Sequence, residues 1–224
     1  ARVQFVGTGP GDPNLLTLGA VDAINRAQVI VISCAEHRML LGSDFLELRP
    51  DVRIVLAGDA DEEAVALPSQ PGGAPTPVDV DEHCTDLIAT VIEAASQGLE
   101  VVRLVSGDPF LDGDIGAEAA AVARADHDVD VIPGVTGMTA VPEYAGLILH
   151  GHDVQLIGDA ACQRDIAGHG PDWSDQGLIV VHTSAGKLKE VVKHAVASGR
   201  SEDEPAALIC HGATTQQITH TVTL

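Results

Sequence analysis

The stretch Val3-Gln4-Phe5-Val6-Gly7-Thr8-Gly9-Pro10-Gly11-Asp12-Pro13 carries an apolar, strand-like run straight into a turn of three glycines and two prolines. Glycine opens backbone torsions that other residues avoid, and proline locks φ while removing an N–H, so the turn has a defined shape. Beyond it, Leu18, Val21, Ile24 and Ala27 recur at helical spacing, and Asp12 or Asn14 stands where a first turn is capped. Strand, glycine-rich turn and helix start together predict an α/β ligand corner. Gly7-x-Gly9-x-Gly11 lacks the spacing of a dinucleotide fingerprint, and no Lys-Ser/Thr follows to make a Walker loop.

The same arrangement recurs downstream. Glu100-Val101-Val102-Arg103-Leu104-Val105-Ser106-Gly107-Asp108-Pro109-Phe110 is a second strand running into a Gly-Asp-Pro turn. Parallel sheets gather ligands at the carboxyl ends of their strands, so the two turns are expected to converge on one crevice. The β-branched runs 28–33, 53–56 and 129–132 supply further strands of this half, and residues 79–97 and 116–125 read as helices. Residues 58–77, rich in acids, Ala, Pro and Gly, read as a mobile loop or lid. Pro133-Gly134-Val135-Thr136 is the natural hinge, giving an N-terminal α/β domain over 1–132 and a C-terminal one over 133–224. The second domain reads as helix 138–145, strand 154–157, a polar segment around Trp173, strand 178–182, helix 188–197 and strands 206–210 and 218–224. The last run alternates like a strand and stops without a cap, so a further strand or domain is expected downstream.

Composition narrows the class. A core of Ala, Val, Leu and Ile is implied by 45% hydrophobic residues with one Trp, one Tyr and three Phe. No apolar run reaches the roughly 20 residues of a membrane span. Cys34, Cys84, Cys162 and Cys210 form no CxxC pair, which fits free thiols and a cytoplasmic setting. Thirty-three acids against twelve Lys and Arg give a net charge of −21, a field that repels nucleic-acid phosphates. His150 and His152, or His211 and His220, are not at helical ligand spacing, so no metal site is expected.

Four stretches resemble one family. The opening turn through Leu15-Leu16-Thr17, the run 101–110 (family VVRLKGGDPF), Val131-Ile132-Pro133-Gly134-Val135-Thr136 continuing through Tyr144-Ala145-Gly146, and Gly212-Ala213-Thr214-Thr215-Gln216-Gln217 (family GTTPEQ) are similar to the tetrapyrrole methylases, in order and across nearly the whole chain. The resemblance is greatest to the uroporphyrinogen-III C-methyltransferase branch, in the actinobacterial arrangement where this domain precedes a uroporphyrinogen-III synthase domain. It implies two α/β domains with S-adenosylmethionine (SAM) or S-adenosylhomocysteine in the cleft between them, a tetrapyrrole substrate on the way to sirohaem or cobalamin, and a homodimer. Carried over position by position, it implies a cofactor pocket lined by Pro10, Gly107, Asp108, Leu111, Thr136, Gly137, His182 and Ala213. Asp108 either accepts from the ligand's ammonium or ribose hydroxyls or caps the turn before Pro109. A β-branched side chain at Gly107 is expected to fill the ligand's volume and leave the fold intact.

The substrate side departs from the pattern. Asp114 stands where the family's GRGGEE run has arginine, with Glu118 further along, and the VVRLKGGDPF lysine and first glycine are Val105 and Ser106. The tyrosine–aspartate pair expected near Ser33-Cys34-Ala35-Glu36 is missing, and the family's cofactor-packing methionine aligns with His182. Arg103, Asp114 and Glu118 are the substrate-side candidates, Arg103 being equally readable as half of a structural ion pair, and no catalytic residue is assigned. These departures leave a second reading open: a methylase-fold domain without catalysis, partnering a synthase domain.

Overall fold

Val29-Ile30-Val31-Ile32 is buried along its whole length, as a β-branched run covered on both faces must be. In the computed structural model this run is strand β2 (Val29–Ile32) of a six-stranded, all-parallel sheet with β1 (Arg2–Gly7), β3 (Arg53–Ala57), β4 (Glu82–Cys84), β5 (Val101–Val105) and β6 (Asp128–Ile132). The strand order is β4-β3-β2-β5-β1-β6, so β5 is inserted between the first two strands of the chain. The structure describes residues 1–44, 46–57, 82–84, 86–113, 115–169 and 172–224. The expected 58–77 loop and Asp114 lie outside the described residues.

The chain divides into two units, Ala1–Val135 and Thr136–Leu224. In the first, α1 (Leu18–Arg26) and α2 (Ala35–Leu41) cover one face of the sheet: Ala20, Ala23, Ile24 and Leu41 pack with Val6, Ile30, Ile32 and Leu104. The opposite face carries α3 (Leu87–Ser96) and α4 (Gly116–Arg124), with Val91, Ala94, Ala95 and Val122 against Val3, Phe5, Val31 and Val101. Each buried Val or Ile contributes about 1.5–3 kcal/mol relative to exposure, so the alternation of these strands between the two cores fixes their register.

The helix starts differ from expectation in instructive ways. Thr17, not Asp12 or Asn14, caps α1, its Oγ1 accepting the Ala20 N–H at 3.1 Å. Asp12 instead caps a one-turn 3-10 helix at Pro13–Leu15, where its carboxylate accepts the Asn14 N–H at 2.8 Å. The expected helix over 79–97 starts later: Asp86 accepts the Ala89 N–H at 2.9 Å and begins α3 at Leu87, while Glu82–Cys84 pairs with β3 as strand β4. Helices α2 and, in the second unit, α6 (Asp159–Ile166) are additional to those expected.

The second unit holds α5 (Gly137–Tyr144), the parallel pair β7 (Val154–Ile157) and β8 (Leu178–Val181), α7 (Leu188–Ala197), and the antiparallel pair β9 (Pro205–Cys210) and β10 (Ile218–Thr223). Its core joins Ile157, Cys162, Trp173, Val191 and Ala195. The indole N–H of Trp173 donates to Asp165 at 2.8 Å, which gives the buried carboxylate a partner. Among the described residues no helix is long and apolar enough to cross a membrane.

Candidate functional site

Because all six strands are parallel, the turns after β1, β2, β5 and β6 leave the sheet at one edge. Past the end of β1, Thr8 extends the ladder, its N–H donating to the Val105 carbonyl at 2.8 Å and its hydroxyl to the same oxygen at 3.2 Å. One residue further, Gly9 and Gly107 exchange hydrogen bonds: the Gly9 N–H donates to the Gly107 carbonyl at 3.2 Å and the Gly107 N–H to the Gly9 carbonyl at 2.8 Å. The two Gly-Asp-Pro turns, nearly a hundred residues apart in the chain, are thus bonded to each other.

The hinge sequence after β6 joins them. A Cβ added to Gly134 would stand 2.1 Å from the Gly107 carbonyl oxygen and 2.8 Å from the Gly7 carbonyl carbon, and one added to Gly7 would stand 2.5 Å from the Gly134 nitrogen. Gly7, Gly107 and Gly134 therefore meet main chain to main chain at the ends of β1, β5 and β6, an approach that only glycine allows.

The β5 turn is held by its own acids. Asp108 Oδ1 accepts the Phe110 and Leu111 N–H groups at 3.0 and 3.1 Å, so the carboxylate caps the turn. Asp112 Oδ2 accepts the Asp108 N–H at 2.7 Å. Gly107 has φ +68°, and a Cβ there would meet that same Asp112 oxygen at 2.1 Å. The volume beside Gly107 is occupied by the protein's own carboxylate, so a valine there would disturb the turn itself, in contrast to the expectation of an intact fold. Leu111 and Phe110 remain 45% and 69% exposed beside it, a pair of apolar side chains at a polar edge. Pro10 is half-buried.

In the second unit Thr136 caps α5, its Oγ1 accepting the Met138 N–H at 3.1 Å, with Gly137 as the first helical residue. The 212–217 turn is anchored on that helix: a Cβ at Gly212 would collide with Val141 Cγ1 at 2.3 Å. Ala213 is fully buried in the left-handed region at φ 55°, and its N–H donates to the Gln217 side chain at 2.8 Å. His182, at the end of β8, is exposed, and its N–H donates to the Ile157 carbonyl at 2.9 Å.

Two of the substrate-side candidates pair with each other. Arg103 is 7% exposed within β5; its Nε donates to Glu118 Oε2 at 3.2 Å and its Nη1 to Ser33 Oγ at 3.2 Å and to the Leu104 carbonyl. A cation under the sheet edge needs such partners, and here they engage Nε and Nη1 of the guanidinium inside the first unit.

Beside this pair lies a cluster that spacing along the chain does not suggest. Cys34 lies two residues beyond β2 and immediately before α2, Ser106 directly follows β5, and His37 sits in the first turn of α2. The exposed Ser106 Oγ is 3.2 Å from His37 Nε2 and 3.8 Å from Cys34 Sγ. His37 is 2% exposed; burial, reinforced by the nearby Arg103 charge, pushes its pKa down to about 3 and keeps the ring neutral. Burial also raises the Cys34 thiol to about 11, so it stays protonated near neutral pH.

Comparison with known proteins agrees across the whole chain. The family model for tetrapyrrole (corrin/porphyrin) methylases matches residues 2–224. The uroporphyrinogen-III C-methyltransferase of Sinorhizobium sp. is 33% identical over 99% of this chain and 75% of its own length. Siroheme synthase 1 of Serratia proteamaculans is 31% identical over 100% of this chain, which spans only 44% of that longer protein. The crystal structure of uroporphyrin-III C-methyl transferase from Thermus thermophilus complexed with S-adenyl homocysteine superposes with a TM-score of 0.61 at 24% identity, covering 100% of this chain and 88% of that one. Paired glycine turns at one sheet edge and a match from end to end make the chain a member of the tetrapyrrole (corrin/porphyrin) methylase family.

Proposed function

We propose that the chain is a SAM-dependent C-methyltransferase acting on uroporphyrinogen III, in the route to sirohaem and cobalamin. The observation that carries this reading is the meeting of Gly7, Gly107 and Gly134 at one carboxyl edge, in a chain whose family match runs from residue 2 to residue 224. The named relatives matched over the whole chain are enzymes, so a domain without catalysis is not favoured.

The residues present fit the cofactor's chemistry. SAM carries a sulfonium and an ammonium, and the edge offers strand-end carbonyls with the carboxylates of Asp108 and Asp112 close behind them. When bound, SAM supplies a methyl group already activated for transfer to an electron-rich carbon. What the protein contributes is position. The Gly9–Gly107 bridge locks the two turns together, Asp108 and Asp112 hold the 107–111 loop in shape, and Leu111 offers an apolar face for the adenosyl part. Pro10, Gly107, Asp108 and Leu111 hold the cofactor in the first unit, and Thr136, Gly137, His182 and Ala213 are its candidates in the second. A homodimer in the cytoplasm, associated with a uroporphyrinogen-III synthase domain, completes the reading through the family resemblance.

Calorimetry with S-adenosylhomocysteine, followed by transfer of labelled methyl from SAM to uroporphyrinogen III, tests the proposal. Binding with turnover is expected. Binding without turnover would overturn the reaction assigned, and no binding would overturn the whole reading.

A further inference from the structure

We propose that Ser106, oriented from beneath by His37, is a positioning residue whose hydroxyl donates a hydrogen bond to a carboxylate of the bound ligands. The inference rests on the methyltransferase reading and extends it to residues that the family motifs do not contain.

Three observations carry it. First, an exposed hydroxyl at the carboxyl end of β5, immediately before Gly107, is anchored to a side chain that is itself almost wholly buried. Second, His37 Nδ1 is buried and, among the described residues, has no hydrogen-bond partner, so the ring's one polar contact among them is the Ser106 hydroxyl. An apolar side chain would fill the space without orphaning a nitrogen, and a buried polar atom left unpaired calls for a reason. Third, Arg103 lies close enough to disfavour a second proton on the ring, and its own guanidinium is engaged by Glu118 and Ser33.

A neutral imidazole has two tautomers. With the proton on Nδ1, a buried N–H would go without an acceptor; with the proton on Nε2, only a lone pair is orphaned, the milder of the two penalties. The Nε2–H form therefore donates to Ser106 Oγ, and the serine proton is left to point away from the ring. Among the described residues its neighbour is Cys34 Sγ at 3.8 Å, a weak acceptor at long range. An arriving carboxylate is a far stronger one. Both the polycarboxylate substrate and the methionine part of the cofactor carry such a group. A neutral donor suits either in a chain with 33 acids and 12 Lys and Arg, because it needs no extra cation.

The test compares the full chain with Ser106→Ala and Ser106→Thr. If the acceptor is the substrate, Ser106→Ala raises KM for uroporphyrinogen III about tenfold with kcat and S-adenosylhomocysteine affinity within twofold, and Ser106→Thr restores KM. If it is the cofactor, the affinity for S-adenosylhomocysteine falls about tenfold instead. An alanine variant that changes neither by more than twofold overturns the proposal. Independently of any turnover, ¹⁵N NMR of His37 is expected to show the proton on Nε2; a proton on Nδ1 overturns the proposal. Loss of activity in the unmodified chain would count against the methyltransferase reading and leaves the NMR result to decide this one.

Discussion

Strand β5 shares the carboxyl edge of the sheet with two neighbours, and the two halves of that edge are built on different principles. Toward β1 and β6 the edge is main chain: three glycines in contact and a two-way hydrogen-bonded bridge between Gly9 and Gly107. Toward β2 it is side chain: Ser33 over the Arg103–Glu118 pair, and Ser106 over neutral His37 beside Cys34. A main-chain edge tolerates almost no substitution, because any added atom meets backbone that cannot rotate away. A side-chain edge can change residue by residue. Under the proposed function, this difference accounts for a chain that keeps the motifs assigned to the cofactor while those assigned to the substrate have diverged.

The comparison breaks first at Gly134. Gly134→Ala forces a methyl group to within 2.1 Å of the Gly107 carbonyl oxygen, and urea denaturation should show a loss of at least ~3 kcal/mol together with loss of S-adenosylhomocysteine binding. Near-wild-type stability would show that the main-chain contact yields easily.

On the side-chain half, Glu118→Ala leaves the Arg103 guanidinium buried without its carboxylate and is expected to cost about 3 kcal/mol, whereas replacing both partners by apolar residues should recover most of it. An unrecovered double variant would mean that the pair does more than satisfy itself. Gly107→Ala is intermediate: φ +68° costs an L residue about 1–2 kcal/mol, and the Asp112 carboxylate must also move. The same change should cost less in an Asp112→Ala background, which a double-mutant cycle would detect.

His37 gives the side-chain half a pH signature. Its folded pKa of about 3 lies below the ordinary value of 6.5, so between those two values the unfolded chain binds a proton that the folded chain does not. Stability should therefore be fully present above about pH 6.5 and fall as pH drops, with a slope approaching ~1.4 kcal/mol per pH unit from this group. His37→Gln should flatten that slope relative to the wild type; an identical slope would place the imidazole in contact with water. The smallest effect on stability is expected at Leu111, where truncation of a side chain already 45% exposed should change it by less than ~0.5 kcal/mol while weakening S-adenosylhomocysteine severalfold. Unchanged affinity would remove Leu111 from the cofactor face.

Much of the main-chain half was legible in the chain itself, because close backbone approach can be met only by glycine and strand ends on a parallel sheet must share an edge. The strands of β-branched residues and helix α7 were legible for the same kind of reason, a strong local period. What escaped reading depended on partners distant in sequence or on weak local signals. Strand β4 is three residues of Glu, His and Cys, without a β-branched member; α2 follows Cys34 and α6 follows Gly158, neither of which supplies a side-chain cap. The Ser106–His37 contact spans 69 positions, and Asp112's hold on Asp108 is a property of the folded loop. The glycine at 107 was legible as necessary, but the Asp112 carboxylate that packs against it required coordinates.

In the proposed function, the main-chain edge at β1, β5 and β6 holds SAM. A crystal structure of the chain with S-adenosylhomocysteine tests it most directly. The ligand is expected against the turns around Pro10 and Gly107–Leu111, contacting backbone more than side chains. A ligand bound away from that edge, with Gly9 and Gly107 still bridged and untouched, would contradict it.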